Sequence, residues 1–176
     1  HTSMGSRMLR SWITQPLRDP TVPRARHEAV REMIENESLR DALSEPLKNL
    51  PDLERVASRI ALGSVRPREL SGLRDALPAL QRLSEAAALS RVPLISDTAA
   101  ILKPDPALTD LLGRALLELP AVTLRDGRVI ADSFSDELKE LRELRDNAGN
   151  VLAQIEAREK ERTGIPTLRV EYNRVS

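Results

Sequence analysis

The sequence predicts a mainly α-helical protein: a multi-helix core followed by one long helix, with a short β-hairpin and a terminal strand as minor additions. Three observations carry this. Apolar residues recur at steps of three and four through most of the chain. Aromatic residues make up only 2%, namely Trp12, Phe134 and Tyr172, so the core must be built from Leu, Ala, Val and Ile. That palette suits packed helices better than a sandwich of strands. Finally, 12 prolines punctuate the periodic runs.

Met4, Met8, Leu9, Trp12 and Ile13 fall on one helical face, which Pro16 closes, and Trp12 is expected in the core. A second helix opens around Thr21 to Pro23, with Val30, Met33 and Ile34 on its buried side. Short helices follow over 38–47 and 53–62; the latter turns Leu53, Val56, Ala57 and Ile60 inward and stops at Gly63. Leucines at 70, 73, 77, 80 and 83 define the next helix, which Pro78 should kink or split. Asp105-Pro106 supplies a cap and a first-turn proline to the stripe Leu108, Leu111, Leu112, Ala115, Leu116 and Leu119, which Pro120 ends.

Val122-Thr123-Leu124 and Arg128-Val129-Ile130 flank Asp126-Gly127, predicting a hairpin over 122–130. The longest periodic run, 135–163, carries Leu138, Leu141, Leu144, Ala148, Val151, Leu152 and Ile155 on a narrow stripe. Such a helix would be roughly 40 to 45 Å long, the length of a strut or lever. Gly164 and Pro166 end it, and 168–175 has strand-like composition. No repeat of fixed period is present.

Lys+Arg and Asp+Glu balance at 27 each, so no global field draws the chain to nucleic acid or an anionic membrane. There are no cysteines, which excludes disulfides and thiolate metal sites. No apolar run approaches the roughly 20 residues of a membrane span, and His1-Thr2-Ser3 does not open a signal peptide. The expectation is a soluble, cytoplasmic fragment; the absence of Met at position 1 reads as a start inside a longer protein.

The search for chemistry returns no catalytic, cofactor-binding or metal-binding residues, so no enzyme is expected. None of the 7 glycines precedes a lysine, which leaves no Walker A loop, and no three glycines cluster as a dinucleotide fingerprint. Only His1 and His27 could join carboxylates at a metal, and His27 reads as a polar surface position. No serine lies in a nucleophile elbow. Glu35 with Glu37, Asp132 with Asp136, and Glu140 with Glu143 are paired carboxylates, but each sits at a helix start or beside basic residues, where the helix dipole and ion pairing explain it. At the far end Arg158, Lys160, Arg162, Arg169 and Arg174 gather near Tyr172 and Asn173, groups able to contact phosphate. Glu159, Glu161 and Glu171 largely cancel them, so any contact should be weak and salt-sensitive.

Met4-Gly5-Ser6-Arg7 with Leu9 and Trp12, then Pro16-Leu17-Arg18-Asp19, resembles the opening of the core domain of MutS-type DNA mismatch-repair proteins. The resemblance continues in order through Asp52-Leu53-Glu54-Arg55, Arg59-Ile60-Ala61-Leu62-Gly63, Pro67-Arg68-Glu69-Leu70 and Leu73-Arg74-Asp75-Ala76-Leu77-Pro78. It then takes in Asp126-Gly127 with Val129-Ile130, Asp136-Glu137-Leu138 and Glu161-Arg162-Thr163-Gly164-Ile165. It implies three parts: a helical core over 1–132, a lever helix over 133–164, and the truncated start of a DNA-holding clamp over 165–176. Arg169, Asn173 and Arg174 then become the DNA-contacting candidates. The family's mismatch-reading Phe-x-Glu has no counterpart here, since Phe134 precedes Ser135-Asp136.

The parent so implied binds mismatched duplex DNA, uses ATP and Mg in an ATPase domain elsewhere, forms a homodimer and signals to a MutL-type partner. No membrane is involved. The fragment's part would be mechanical, coupling clamp to ATPase. The rival reading is a stand-alone helical interaction module docking through the Leu108 to Leu119 face.

Overall fold

The computed structural model describes residues 1–170. Helices dominate them, and they divide into two compact units, His1–Ile130 and the part that begins at Ala131.

The first unit runs through α1 (Ser3–Thr14), α2 (Thr21–Glu35), α3 (Glu37–Leu47), α4 (Leu53–Ala61), α5 (Pro67–Ala88), two short helices α6 (Pro93–Ser96) and α7 (Thr98–Leu102), and α8 (Pro106–Ala115). Their starts follow from capping chemistry. Thr2 accepts from the Gly5 N–H at 3.0 Å, Asn36 from Leu39 at 3.1 Å, and Asp105 from Ala107 at 2.8 Å. At the head of α5, Glu69 accepts from the Arg66 N–H at 2.9 Å, and its other oxygen pairs with Arg59 of α4.

α5 is the central helix, packing against α3, α4, α6, α7 and α8. It runs unbroken through Pro78, so the expected split does not occur. Leu77 and Leu83, on either side of the proline, are both buried, and this packing holds the helix across the missing hydrogen bond. Leu77 joins Leu112, Leu116 and Val129 in the core cluster, with Leu70, Leu73 and Leu80 against it. Leu39 of α3, Val56 of α4 and Ala87 of α5 are also buried.

Three expectations need correction here. The α8 stripe was expected to run helical to Leu119, but α8 ends at Ala115 and Leu116 is extended (φ −96°, ψ 140°). The hairpin over 122–130 is absent as a ladder. Leu124–Asp126 is a 3-10 turn, capped by Asp126 accepting from the Thr123 N–H at 3.1 Å. The 128–130 segment pairs with the chain after α8: Leu116 bridges Ile130, Leu117 N–H donates to Val129 O at 3.0 Å, and Ala121 N–H to Arg128 O at 3.1 Å. Gly127, at φ 67° and ψ −163°, occupies backbone space open in practice to glycine alone. Finally, Val30 and Ile34 of α2 and Trp12 of α1 are not core residues; they are 56%, 72% and 38% exposed. Leu94 and Ile95 of α6 line the same face without closing it.

In the second unit a 3-10 turn, Asp132–Phe134, leads into α9 (Asp136–Asp146) and α10 (Ala148–Thr163). Ser135 caps α9, Asp136 and Glu137 occupy its first turn, and Arg142 pairs back to Asp132. The single long helix expected over 135–163 is thus two, of 11 and 16 residues, meeting at Asn147 (φ −94°, ψ 1°). Helical hydrogen bonds bracket this joint, from Asn147 N–H to Glu143 O and from Val151 N–H to Asn147 O, both 2.9 Å. Asn147 and Gly149, both weak helix formers, place the interruption. Of the expected terminal strand, residues 168–170 form no ladder and the remainder lies outside the described residues.

Candidate functional site

The predicted DNA-contacting end begins where α10 stops. Gly164 takes the left-handed conformation (φ 69°, ψ 15°) that closes the helix, its N–H donating to Lys160 O at 2.9 Å. The chain then returns along α10, and the Val170 N–H reaches Glu156 Oε2 at 3.1 Å. Lys160 holds the other oxygen of Glu156 at 2.6 Å. These contacts, first the Lys160 ammonium, then the Val170 N–H, and also the charge of Arg169, hold the Glu156 carboxyl below its ordinary range.

Arg169 is exposed on this returning segment, near enough to Glu156 to act on its ionisation. Asn173 and Arg174 lie outside the described residues. The other basic residues of this end are engaged by their own helix. Arg162 pairs with Glu159 at 2.7 Å, and Arg158 sits 3.8 Å from the same carboxylate. Such exposed pairs contribute little to stability but remove free cations from any phosphate-facing surface.

Among the described residues no group of three or more His, Cys, Asp or Glu side chains is placed to hold a metal ion. His27 is exposed on α2. Asp132 is engaged by Arg142, while Glu35 and Glu37 flank the Asn36 cap between α2 and α3. No helix of the described residues is long and apolar enough to cross a membrane.

Polar staples fix the first unit. Arg7 of α1 grips Asp52, the cap of α4, and also reaches Glu54 at 2.6 Å. Glu32 of α2 receives the Ser90 hydroxyl and the Arg91 N–H, the latter at 2.8 Å, which lowers its pKa in that order of cause. Arg74 of α5 donates to Leu117 O at 2.8 Å and Glu118 O at 2.9 Å, carbonyls of the extended chain after α8.

Sequence reasoning missed one feature. Trp12, Ala29, Val30, Met33 and Leu94 line an open, almost wholly apolar groove of about 420 Å³. The Arg26 guanidinium lies over the Trp12 ring, 3.6 Å from its centroid. A signal was present: α1 and α2 each carry an apolar stripe.

A family model described as MutS domain III matches residues 1–163, taking in all of the first unit and both helices of the second. The chain therefore belongs to the MutS domain III family, as a core and lever region of a MutS-type DNA mismatch-repair protein.

Proposed function

We propose that this region works mechanically within its parent protein, carrying strain between a clamp that holds mismatched duplex DNA and a separate ATPase domain, with no catalytic centre of its own. The observation that carries this reading is the family match over 1–163, which joins a helical core to the two successive helices α9 and α10. On this reading 1–132 is the core, 133–164 the lever, and 165–176 leads into the clamp. Arg169, Asn173 and Arg174 contact the duplex backbone weakly and without mismatch preference. The parent uses ATP and Mg in its ATPase domain, acts in the cytoplasm as a homodimer and signals to a MutL-type partner.

The test breaks the lever in the full-length parent. Ala148, in the middle of the apolar stripe, proves to be the first residue of α10, where a proline's missing N–H costs little. Ala153 is interior and exposed. Ala153→Pro should cost about 3 kcal/mol of helix stability, and Ala153→Ser only about 0.5 kcal/mol. In a variant shown by circular dichroism to be folded, basal ATP hydrolysis should persist while mismatched DNA no longer alters nucleotide turnover. The serine variant should behave as wild type. An Ala153→Pro protein that still responds fully to mismatched DNA would make these helices a spacer.

A further inference from the structure

We propose that the groove beside Trp12 is a docking site for an acidic amphipathic helix of a partner polypeptide. Trp12, Ala29, Val30, Met33 and Leu94 are among its lining residues, and its volume of about 420 Å³ has room for a few aliphatic side chains of one helix face. Its lining is apolar apart from two cations. The charged residues lining it are Arg26 and Arg40, and no carboxylate joins them.

These two guanidiniums differ. Arg40 is engaged by Glu37 at 2.7 Å and Asp41 at 3.3 Å. Arg26 is held by the Trp12 ring, and no carboxylate of the described residues pairs with it. Stacking leaves the N–H edge of a guanidinium available while fixing its plane, a geometry suited to a bidentate carboxylate. A helix laid into the groove takes Arg26 out of water, and burying an unpaired charge is costly. The occupant must therefore bring an Asp or Glu beside its apolar stripe. A basic helix of equal hydrophobicity is rejected, because it would bury two like charges together. This proposal rests on the groove alone and is independent of the mechanical role above.

Trp12 is the only tryptophan, so its fluorescence reports the groove directly. The probes are two synthetic helical peptides of about 18 residues with the same leucine stripe, flanked by Glu in one and by Lys in the other. The 176-residue chain should bind the Glu peptide with a saturable shift of Trp12 emission, at least about tenfold more tightly than the Lys peptide. Added salt should narrow that gap. Arg26→Gln should remove most of the preference. Val30→Asp, at a position 56% exposed, should keep the helical circular dichroism of the wild type and abolish binding of the Glu peptide. Equal binding of the two peptides, or no saturable change with either, overturns the proposal. So does a Trp12 shift that follows protein concentration alone with a dimer in sedimentation, since the occupant is then a second copy of the chain.

Discussion

Arg7 and Asp52 meet fork on fork: Nη1 lies 2.8 Å from Oδ2 and Nη2 lies 2.9 Å from Oδ1, tying α1 to the first turn of α4 across 45 residues of chain. Arg7 holds the Asp52 carboxyl down at about 2, from an ordinary 3.8, with further help from the Arg55 N–H and the Ser3 hydroxyl. A depressed carboxyl contributes stability above its unfolded pKa and loses it as pH falls through the folded one. Asp52→Asn keeps a capping oxygen but loses the ion pair. The wild type should therefore melt above this variant at neutral pH, with the gap closing between pH 3.8 and about 2. Thermal melts across that window check it; a gap that ignores pH contradicts it.

The core cluster should be sensitive to truncation at its centre. Leu77 is 4% exposed among Leu112, Leu116 and Val129, so Leu77→Ala should cost about 3 kcal/mol in urea unfolding. Leu119, 79% exposed, is the control, and Leu119→Ala should stay within about 0.5 kcal/mol of wild type.

Arg74 is an anchor for the chain after α8 as well as a charge. Arg74→Met preserves the stem but leaves the Leu117 and Glu118 carbonyls without their donor. We expect a loss of about 2 kcal/mol, and only partial recovery in Arg74→Lys, since one ammonium cannot reproduce the two-pronged geometry. Equal stability of the Lys variant and wild type would reduce Arg74 to a simple cation.

Gly149 of α10 and Gly164, which closes that helix, should respond in opposite directions. Gly149 is inside the helix, and an added Cβ would meet nothing within 4 Å, so Gly149→Ala should stabilise by about 0.5 to 1 kcal/mol. Gly164 sits at φ 69°, and Gly164→Ala should destabilise by about 1 to 2 kcal/mol. Helical signal in thermal melts reads both.

The main helices were legible because caps and periodicity agree: Asp52 before Leu53 and Asp105 before Pro106 mark real starts, and Gly63 a real stop. The 116–130 region was misread because a leucine-rich run fits a helix and a buried strand equally well. Its choice was made by Val129 and Arg128, which offer hydrogen-bond partners that local sequence does not reveal. The 135–163 run was read as one helix since its stripe continues in phase across Asn147, whose backbone alone departs. Trp12 was misplaced for a different reason. An apolar face declares that it wants covering, but only the fold shows whether a cover is there. Of the DNA-contacting candidates, Arg169 is placed on the surface, and its nearness to Glu156 could not be read in the sequence because it depends on the chain turning back at Gly164.

The bridge between Leu116 and Ile130 pins together the two ends of a loop whose tip, around Leu124 and Arg125, faces solvent. A loop fastened at its neck can be lengthened or cut at its tip without separating what the neck holds. The tip is thus a natural attachment point: a short epitope or fluorophore tag inserted between Leu124 and Arg125 would report on the first unit from outside, leaving Gly127 and the neck untouched.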